Sequence, residues 1–389
     1  MRMKDRLKYP LSLFVVWHPS FAEGKNIAND LYSIFCRDIE EPLSRGLGVQ
    51  VYYRSVLLIP IDKSIANRNA IILLIDENFM VDETFQAYTK SLSELTDENT
   101  RIYPVALCKQ ATEIGCGLNS IQFIRYHDGF INIQEEYDRG IKKIKSELLH
   151  DCSRLLMNIQ PIWQDTKQDT KVPSPVKLFL SHAKKDGEET TKRFKTFIES
   201  ETKLDVFFDA VDIADGYEFE KQIETNIENA ALVVFHTDEY SSREWCRNEV
   251  LIAKRNKCSI VVVHDIKNGE KRAFPYMGNT PTITLKQEED SSFTEIMTIT
   301  LYQVLNNRYQ RELLKSFEQN FKDDKAEFVT ITSPPELFNY IDLYKMKLTE
   351  KKKLIVLYPE PPLGAEELRI LNDIDKDIKF ITPIYLPTL

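Results

Sequence analysis

"IETNIENAALVVFHTD", residues 223–238, lies without a gap on "IDKSIANRNAIILLID", residues 61–76, matching Ile61 with Ile223, Ile65 with Ile227, Asn67 with Asn229 and Asp76 with Asp238. Each stretch reads as the end of a helix feeding a buried strand. Upstream, "LSLFVVWHPS" at 11–20 parallels "VKLFLSHAKK" at 176–185, and "VQVYYRS" parallels "LDVFFDA". Self-similarity of this kind marks a duplicated unit. Each copy is expected to begin strand, helix, strand, helix, strand.

Short apolar strands alternating with amphipathic helices imply parallel sheets with helices on both faces. Such sheets place ligands beyond the carboxyl ends of their strands. In the second copy those ends carry "SHAKKD", "FFDAVDIADG", "FHTDEYSS" and "VVVHDIKNG". The polar, proline-bearing stretch "QPIWQDTKQDTKVPSP", 160–175, marks a linker between the copies. A long helix follows the second copy, with Ser292 and Glu295 spaced as a capping box. A third unit then begins with the strand "EFVTIT". Ser333 is its expected N-cap, Pro334 the first helical residue and Glu336 the capping acid. "KKLIVLYPEPPLGAEEL" and "IKFITPIYL" add a strand, a proline turn, a helix and a strand. The expected division is 1–155 for the first copy, 156–175 for the linker, 176–310 for the second copy and 311–389 for the helix and small α/β unit.

At 389 residues the chain is too long for one ordinary core. Its 42% hydrophobic and 29% charged residues point to neither disorder nor a membrane protein. With 51 basic against 60 acidic residues, net charge -9, nucleic acid is not expected as the chief partner. The opening "MRMKDRLKYPLSLFVVWHPSF" has a basic head, but its apolar run is brief and reads as a strand. No run approaches the roughly 18 apolar residues that cross a bilayer. The six cysteines show no Cys-x-x-Cys pair, which favours a reduced, cytoplasmic protein.

Taken in order, "LFLSHAKKD", "DVFFDAVDIADGYEFEKQIETNI" and "YSSREWCRNEVLIAKR" resemble the first strand, the BB loop with its helix, and the third helix of a Toll/interleukin-1 receptor (TIR) domain. "RAFPYMGNTPTI", 272–283, looks like the late segment of bacterial members. The resemblance implies a flavodoxin-like fold for 176 to about 310, and makes the first copy a distant, TIR-like relative. The family holds both scaffolds and enzymes that cleave NAD at the nicotinamide-ribose bond. In the enzymes a glutamate lies four residues after an aromatic in the third helix, and Glu249 after Trp245 keeps that pattern. The resemblance further implies a substrate-binding set of Ser181, His182, Lys184, Phe208, Asp209, Asp212, Gly216 and Trp245. NAD is then substrate, with no separate cofactor. It also implies self-association through TIR contacts, an activating protein or ligand not identifiable from sequence, and the role of a bacterial defence effector.

The chemistry suits a single carboxylate. Breaking the nicotinamide bond leaves a ribosyl cation while the pyridine departs neutral, so no acid is needed, unlike ordinary glycoside hydrolysis. An ionised Glu249 stabilises such a cation best where water is excluded. Ser241 and Glu244 read as a capping box that starts the helix near 242. Cys246, Val250 and Ala253 then form its core stripe, with Trp245 and Glu249 at the margin at i, i+4 spacing.

Blander readings stand beside these. A helix glutamate is ordinarily solvated surface, Trp245 ordinarily core, and Lys184 and Lys185 ordinarily solvated. His182, His236 and His264 all follow strands of the second copy, a conceivable zinc trio, although strand-end histidines are usually plain loop residues and no metal is expected. A nucleotide-sensing module lacks any Gly-x-Gly-x-x-Gly or Walker loop. In the first copy, the ungapped alignment sets Ala87 opposite Glu249, and one insertion sets Tyr88 there instead. Arg54 stands where the second copy has Asp209, and Tyr53 to Ile61 is a shorter reach than Phe208 to Ile223. The first copy is thus expected to lack both the acid and most of the BB loop.

Overall fold

The computed structural model describes residues 8–41, 46–57, 59–126, 133–157, 176–202, 204–208, 230–270, 273–286, 289–320, 326–350 and 352–388. By packing, the chain divides into two compact units, Met1–His127 with Asn307–Leu389, and Asp128–Asn306.

The first unit opens with β1 (Tyr9–Trp17), α1 (Gly24–Phe35), β2 (Gln50–Arg54), β3 (Ala66–Ile75), α2 (Glu77–Val81), α3 (Glu83–Glu94), β4 (Thr100–Ala106) and β5 (Ile124–Arg125). The strands pair in parallel in the order β2-β1-β3-β4-β5. From Asn69 to Ile75 every residue of β3 is buried. A central parallel strand is covered on both faces, so its sequence is a continuous apolar run without alternation. Asp82 starts α3 by accepting from the backbone N–H of Thr84 and Phe85. The buried face of that helix is Phe85, Thr89 and Leu92.

One expectation fails here. Among the described residues no α-helix lies between β2 and β3; residues 63–65 form a single 3-10 turn, begun by the Asp62 carboxylate accepting from Ser64 N. Residues 55–65 alone carry the chain across β1, at the short limit for a crossover that includes a helix, and here the 3-10 turn takes the helix's place.

The second unit holds α4 (Ile133–Met157), β6 (Lys177–His182), α5 (Glu188–Glu201), β7 (Asp205–Phe208), β8 (Ala230–His236), α6 (Glu244–Arg255), β9 (Ser259–His264), β10 (Thr282–Thr284) and the start of α7 (Glu289–Asn320). Its parallel strands run β7-β6-β8-β9-β10, the same winding as the first sheet. Ser146 of α4 and Thr298 of α7 share a hydroxyl hydrogen bond at 2.8 Å. The expected helix between β7 and β8 lies outside the described residues.

The third sheet, within the first unit, comprises β11 (Ala326–Thr330), α8 (Leu337–Glu350), β12 (Lys353–Leu357), α9 (Ala365–Ile374) and β13 (Ile378–Ile381). The strands are parallel in the order β11-β12-β13. Tyr340, Leu343 and Leu371 join Leu354, Val356 and Phe380 in one cluster, and Leu314 with Phe317 of α7 joins Ile355, Leu357 and Ile381 in another. The molecule is therefore α/β, two flavodoxin-like parallel sheets with a small third one.

Three helix starts also differ from expectation. Ser292 lies inside α7, its hydroxyl accepting from Lys286 N. Helix α8 begins at Leu337, beyond Pro334, where the Asn339 side chain accepts from Glu336 N. Helix α6 begins at Glu244 after Arg243, which offers no side-chain cap, because Ser241 is engaged elsewhere. No described helix is long and apolar enough to cross a membrane.

Candidate functional site

Helix α6 docks through Cys246, Val250 and Ala253, and Glu249 is buried with them. Lys254 and Arg255 close the helix, where cations complement its dipole. Glu249 is only 5% exposed, whereas Trp245, one turn earlier, is 41% exposed and outside the core. The carboxylate and the indole share a helix face in sequence but differ in depth.

A carboxylate at such depth is costly unless hydrogen-bonded. Ser181, near the carboxyl end of β6, donates to Glu249 Oε2. The Ser181 hydroxyl lies 2.6 Å from the Tyr240 hydroxyl, which is also 3.2 Å from the carbonyl of Cys246. Tyr240 is fully buried and Ser181 nearly so. Burial first, and then the neighbouring Glu249 charge and Cys246, push the Tyr240 phenol well above its ordinary pKa, so it stays a protonated hydroxyl. The Cys246 thiol reaches the His182 carbonyl at 3.4 Å, closing the helix onto the same strand end.

The other expected site residues fall differently. His182 is buried beside Ser181. Lys184 and Lys185 are exposed in the turn after β6, Lys185 bonded to Glu239. Phe208 ends β7. Asp209, Asp212 and Gly216 lie outside the described residues. The fold thus brings Ser181, His182 and Glu249 to one strand end, and leaves Trp245 and Lys184 facing outward.

Sequence reasoning passed over a second polar cluster at the same sheet edge. The His236 Nε2 sits 2.6 Å from Glu270 Oε1 and 3.2 Å from the Ser241 hydroxyl, and Ser241 also donates to Glu270. On its other side, His236 Nδ1 is 3.2 Å from His264 Nδ1. Burial, then the adjacent His236, holds the His264 imidazole below its ordinary pKa against the opposing pull of Glu270. The loop supplying Glu270 is fastened by Asp238, which accepts from the backbone N–H of Lys267, Asn268 and Gly269. Gly269 at φ +101° makes that turn possible. Nothing local in "KNGEKR" signals Glu270, since its partners lie some thirty residues earlier. The conceivable zinc trio is not assembled: among the described residues no three His, Cys, Asp or Glu side chains converge as a metal site.

Sheet register settles how the two copies correspond. Val16 of β1 pairs with Leu73 of β3, and Ser181 of β6 pairs with Val234 of β8. The buried triplet Phe85, Thr89, Leu92 on α3 repeats the spacing of Cys246, Val250, Ala253 on α6. Leu73 therefore matches Val234, and the ungapped alignment, which set Ile72 there, is one residue out. In a pleated strand that slip reverses the faces. The counterpart of Glu249 is Tyr88, that of Tyr240 is Phe79, and that of Ser181 is Val16.

Residues 178–297 match the family model of the TIR domain. No curated protein matches the chain. Among solved structures, the crystal structure of tagatose-6-phosphate ketose/aldose isomerase from Escherichia coli aligns over 85% of this chain and 88% of that one, at 11% identity and a TM-score of 0.24. A likeness that slight in shape carries no argument. The second sheet thus contains a TIR domain, a module that in some members cleaves NAD and in others only scaffolds.

Proposed function

We propose that the TIR domain is a NAD glycohydrolase in which Glu249 stabilises the ribosyl cation. The reading is carried by one observation, a carboxylate 5% exposed yet held by Ser181 at the carboxyl edge of a parallel sheet, where such folds bind ligands. In the reaction the C–N bond to nicotinamide breaks and its electron pair leaves with the neutral pyridine. The cation left on the ribose faces the Glu249 carboxylate, whose charge acts more strongly away from water. Water then adds to the ribose carbon and loses a proton to solvent. A ribose hydroxyl or ring nitrogen attacking instead would give a cyclic or variant ADP-ribose. His182, Lys184 and Trp245, with Phe208, Asp209, Asp212 and Gly216, complete the proposed substrate-binding set.

We further propose that activity follows self-association of TIR domains in response to an unidentified protein or ligand, in a cytoplasmic defence role. The first sheet, with Val16, Phe79 and Tyr88 at the corresponding places, serves assembly or regulation without turnover.

The rival is a TIR scaffold acting through contacts alone. It is favoured by the fact that Ser181 already occupies a carboxylate oxygen, as a purely structural acid would require. The test is free nicotinamide released from NAD by the concentrated full-length chain and by its Glu249→Ala variant, with the biological effect scored in parallel. An enzyme loses both product and effect. A scaffold releases no nicotinamide in either form and keeps its effect in the variant. Release that survives in the variant would transfer turnover to the first sheet.

A further inference from the structure

We propose that Tyr240 and Ser181 form a positioning relay that holds Glu249 ionised, with Tyr240 donating to Ser181 and Ser181 donating to the carboxylate. The inference rests on Glu249 being the reactive group, and assigns how its charge is kept.

Two arrangements run through the row in one direction, with two protons when Glu249 is ionised and three when it is protonated. With Glu249 ionised, the Ser181 proton goes to Oε2, and the Ser181 oxygen must then receive the Tyr240 proton. With Glu249 protonated the direction reverses: Glu249 donates to Ser181, Ser181 to Tyr240, and Tyr240 to the Cys246 carbonyl. Tyr240 has one hydroxyl proton and two neighbouring oxygens that can accept it. Tyr240 lies 2.6 Å from Ser181, a short O–H···O contact, and 3.2 Å from the Cys246 carbonyl. The nearer of the two is Ser181, and a proton given there leaves the Ser181 proton for the carboxylate. The phenol also remains protonated at all ordinary pH, since burial and the Glu249 charge both oppose its ionisation.

Among the described residues, the following titratable groups stand near the relay. Cys246 lies on the same helix as Glu249, and His182 adjoins Ser181 on β6. From β8, the His236 ring meets Tyr240 edge-on at 5.8 Å, carrying with it Glu270 and His264. Tyr240 enters the turn 240–242 that these groups fasten through Ser241. The first sheet shows that the frame tolerates the apolar version, because Phe79 and Val16 occupy the two relay positions there in full burial.

The experiment is a carboxyl titration by 13C NMR on the full-length chain labelled at glutamate Cδ. The Glu249 resonance is identified as the one missing from Glu249→Gln. The relay predicts that its midpoint rises in Ser181→Ala, rises by less in Tyr240→Phe, and returns in Ser181→Thr, which restores the hydroxyl. Nicotinamide release would follow in Tyr240→Phe, whose hydroxyl is outside the substrate-binding set, with kcat falling on the acidic side while KM for NAD holds. A midpoint that is the same in all four proteins overturns the relay, whatever the turnover. A midpoint that moves in a chain that releases no nicotinamide leaves the relay standing and removes the NAD reading instead. Tyr240→Phe keeps the buried ring, and Ser181→Thr keeps the hydroxyl with one added methyl, so together they separate charge control from misfolding.

Discussion

The two five-stranded sheets share one winding and one packing scheme, yet differ at three corresponding positions. Where the TIR domain places Tyr240, Ser181 and Glu249, the first sheet places Phe79, Val16 and Tyr88. Hydrocarbon replaces a hydroxyl twice, and a phenol replaces the acid. Tyr88 is half-buried, and burial raises its pKa while the nearby Arg54 charge pulls it down. Arg54 itself lies over the rings of Phe14 and Tyr52, at 5.5 and 5.7 Å from their centroids. The lesson is that a doubly wound sheet does not need this row of two hydroxyls and a carboxylate at its edge to fold. Where they occur in a buried row, they cost stability that a plain core would keep, and chemistry is the economical reason for their presence.

The comparison can be tested at its strongest point first. Phe79→Ala removes a fully buried ring from the first sheet and is expected to cost about 3–5 kcal/mol in chemical denaturation. A loss below about 1 kcal/mol would mean that Phe79 is not a core counterpart of Tyr240. Next comes activity. Glu249→Gln should lower nicotinamide release about 10²–10³-fold, the usual loss for a removed transition-state charge partner. Tyr88→Phe, at the matching place in the other sheet, should leave that release unchanged. Equal effects at both positions would erase the distinction between the copies.

A reciprocal exchange asks less of the protein. Phe79→Tyr introduces a hydroxyl with Val16 in the place of Ser181, and should cost about 1–3 kcal/mol for a buried group without a partner. Stability equal to the parent would show that water reaches the first sheet at this depth. The smallest effect concerns acid. Strand β9 ends in His264 where β4 ends in Ala106. Folding holds the His264 imidazole below its ordinary 6.5, through burial and then His236. As pH falls below that value the unfolded chain takes up the proton first, so stability should be level above it and decline beneath it. Denaturation midpoints at several acidic pH values in the parent and in His264→Asn check the sign. A parent that gains stability on acidification would contradict the assigned environment.

Much of the architecture was legible in the chain. The duplicated runs at 61–76 and 223–238 announced parallel sheets, because strands covered on both faces must be apolar at every position. The buried stripe Cys246, Val250, Ala253 followed from a 3.6-residue period alone. The capping boxes at Ser241, Ser292 and Ser333 did not hold. A capping pattern states what a hydroxyl can do, and in the fold Ser241 serves Glu270 while Ser292 serves the backbone of Lys286.

From the residues themselves came the number of sheets and the aromatic-to-acid spacing in one helix, since these follow from local periodicity and short-range order, whereas the flavodoxin-like winding was implied only by the family resemblance. The tertiary structure alone decided the register between copies, the depth that separates Glu249 from Trp245, and the meeting of Tyr240, Ser181 and Glu249. Ser181 is 59 residues from Tyr240 and 68 from Glu249 in the chain. Hydrogen bonds across such separations exist only once the sheet has closed, and a side chain's cost or value in the core depends on which partners that closure delivers.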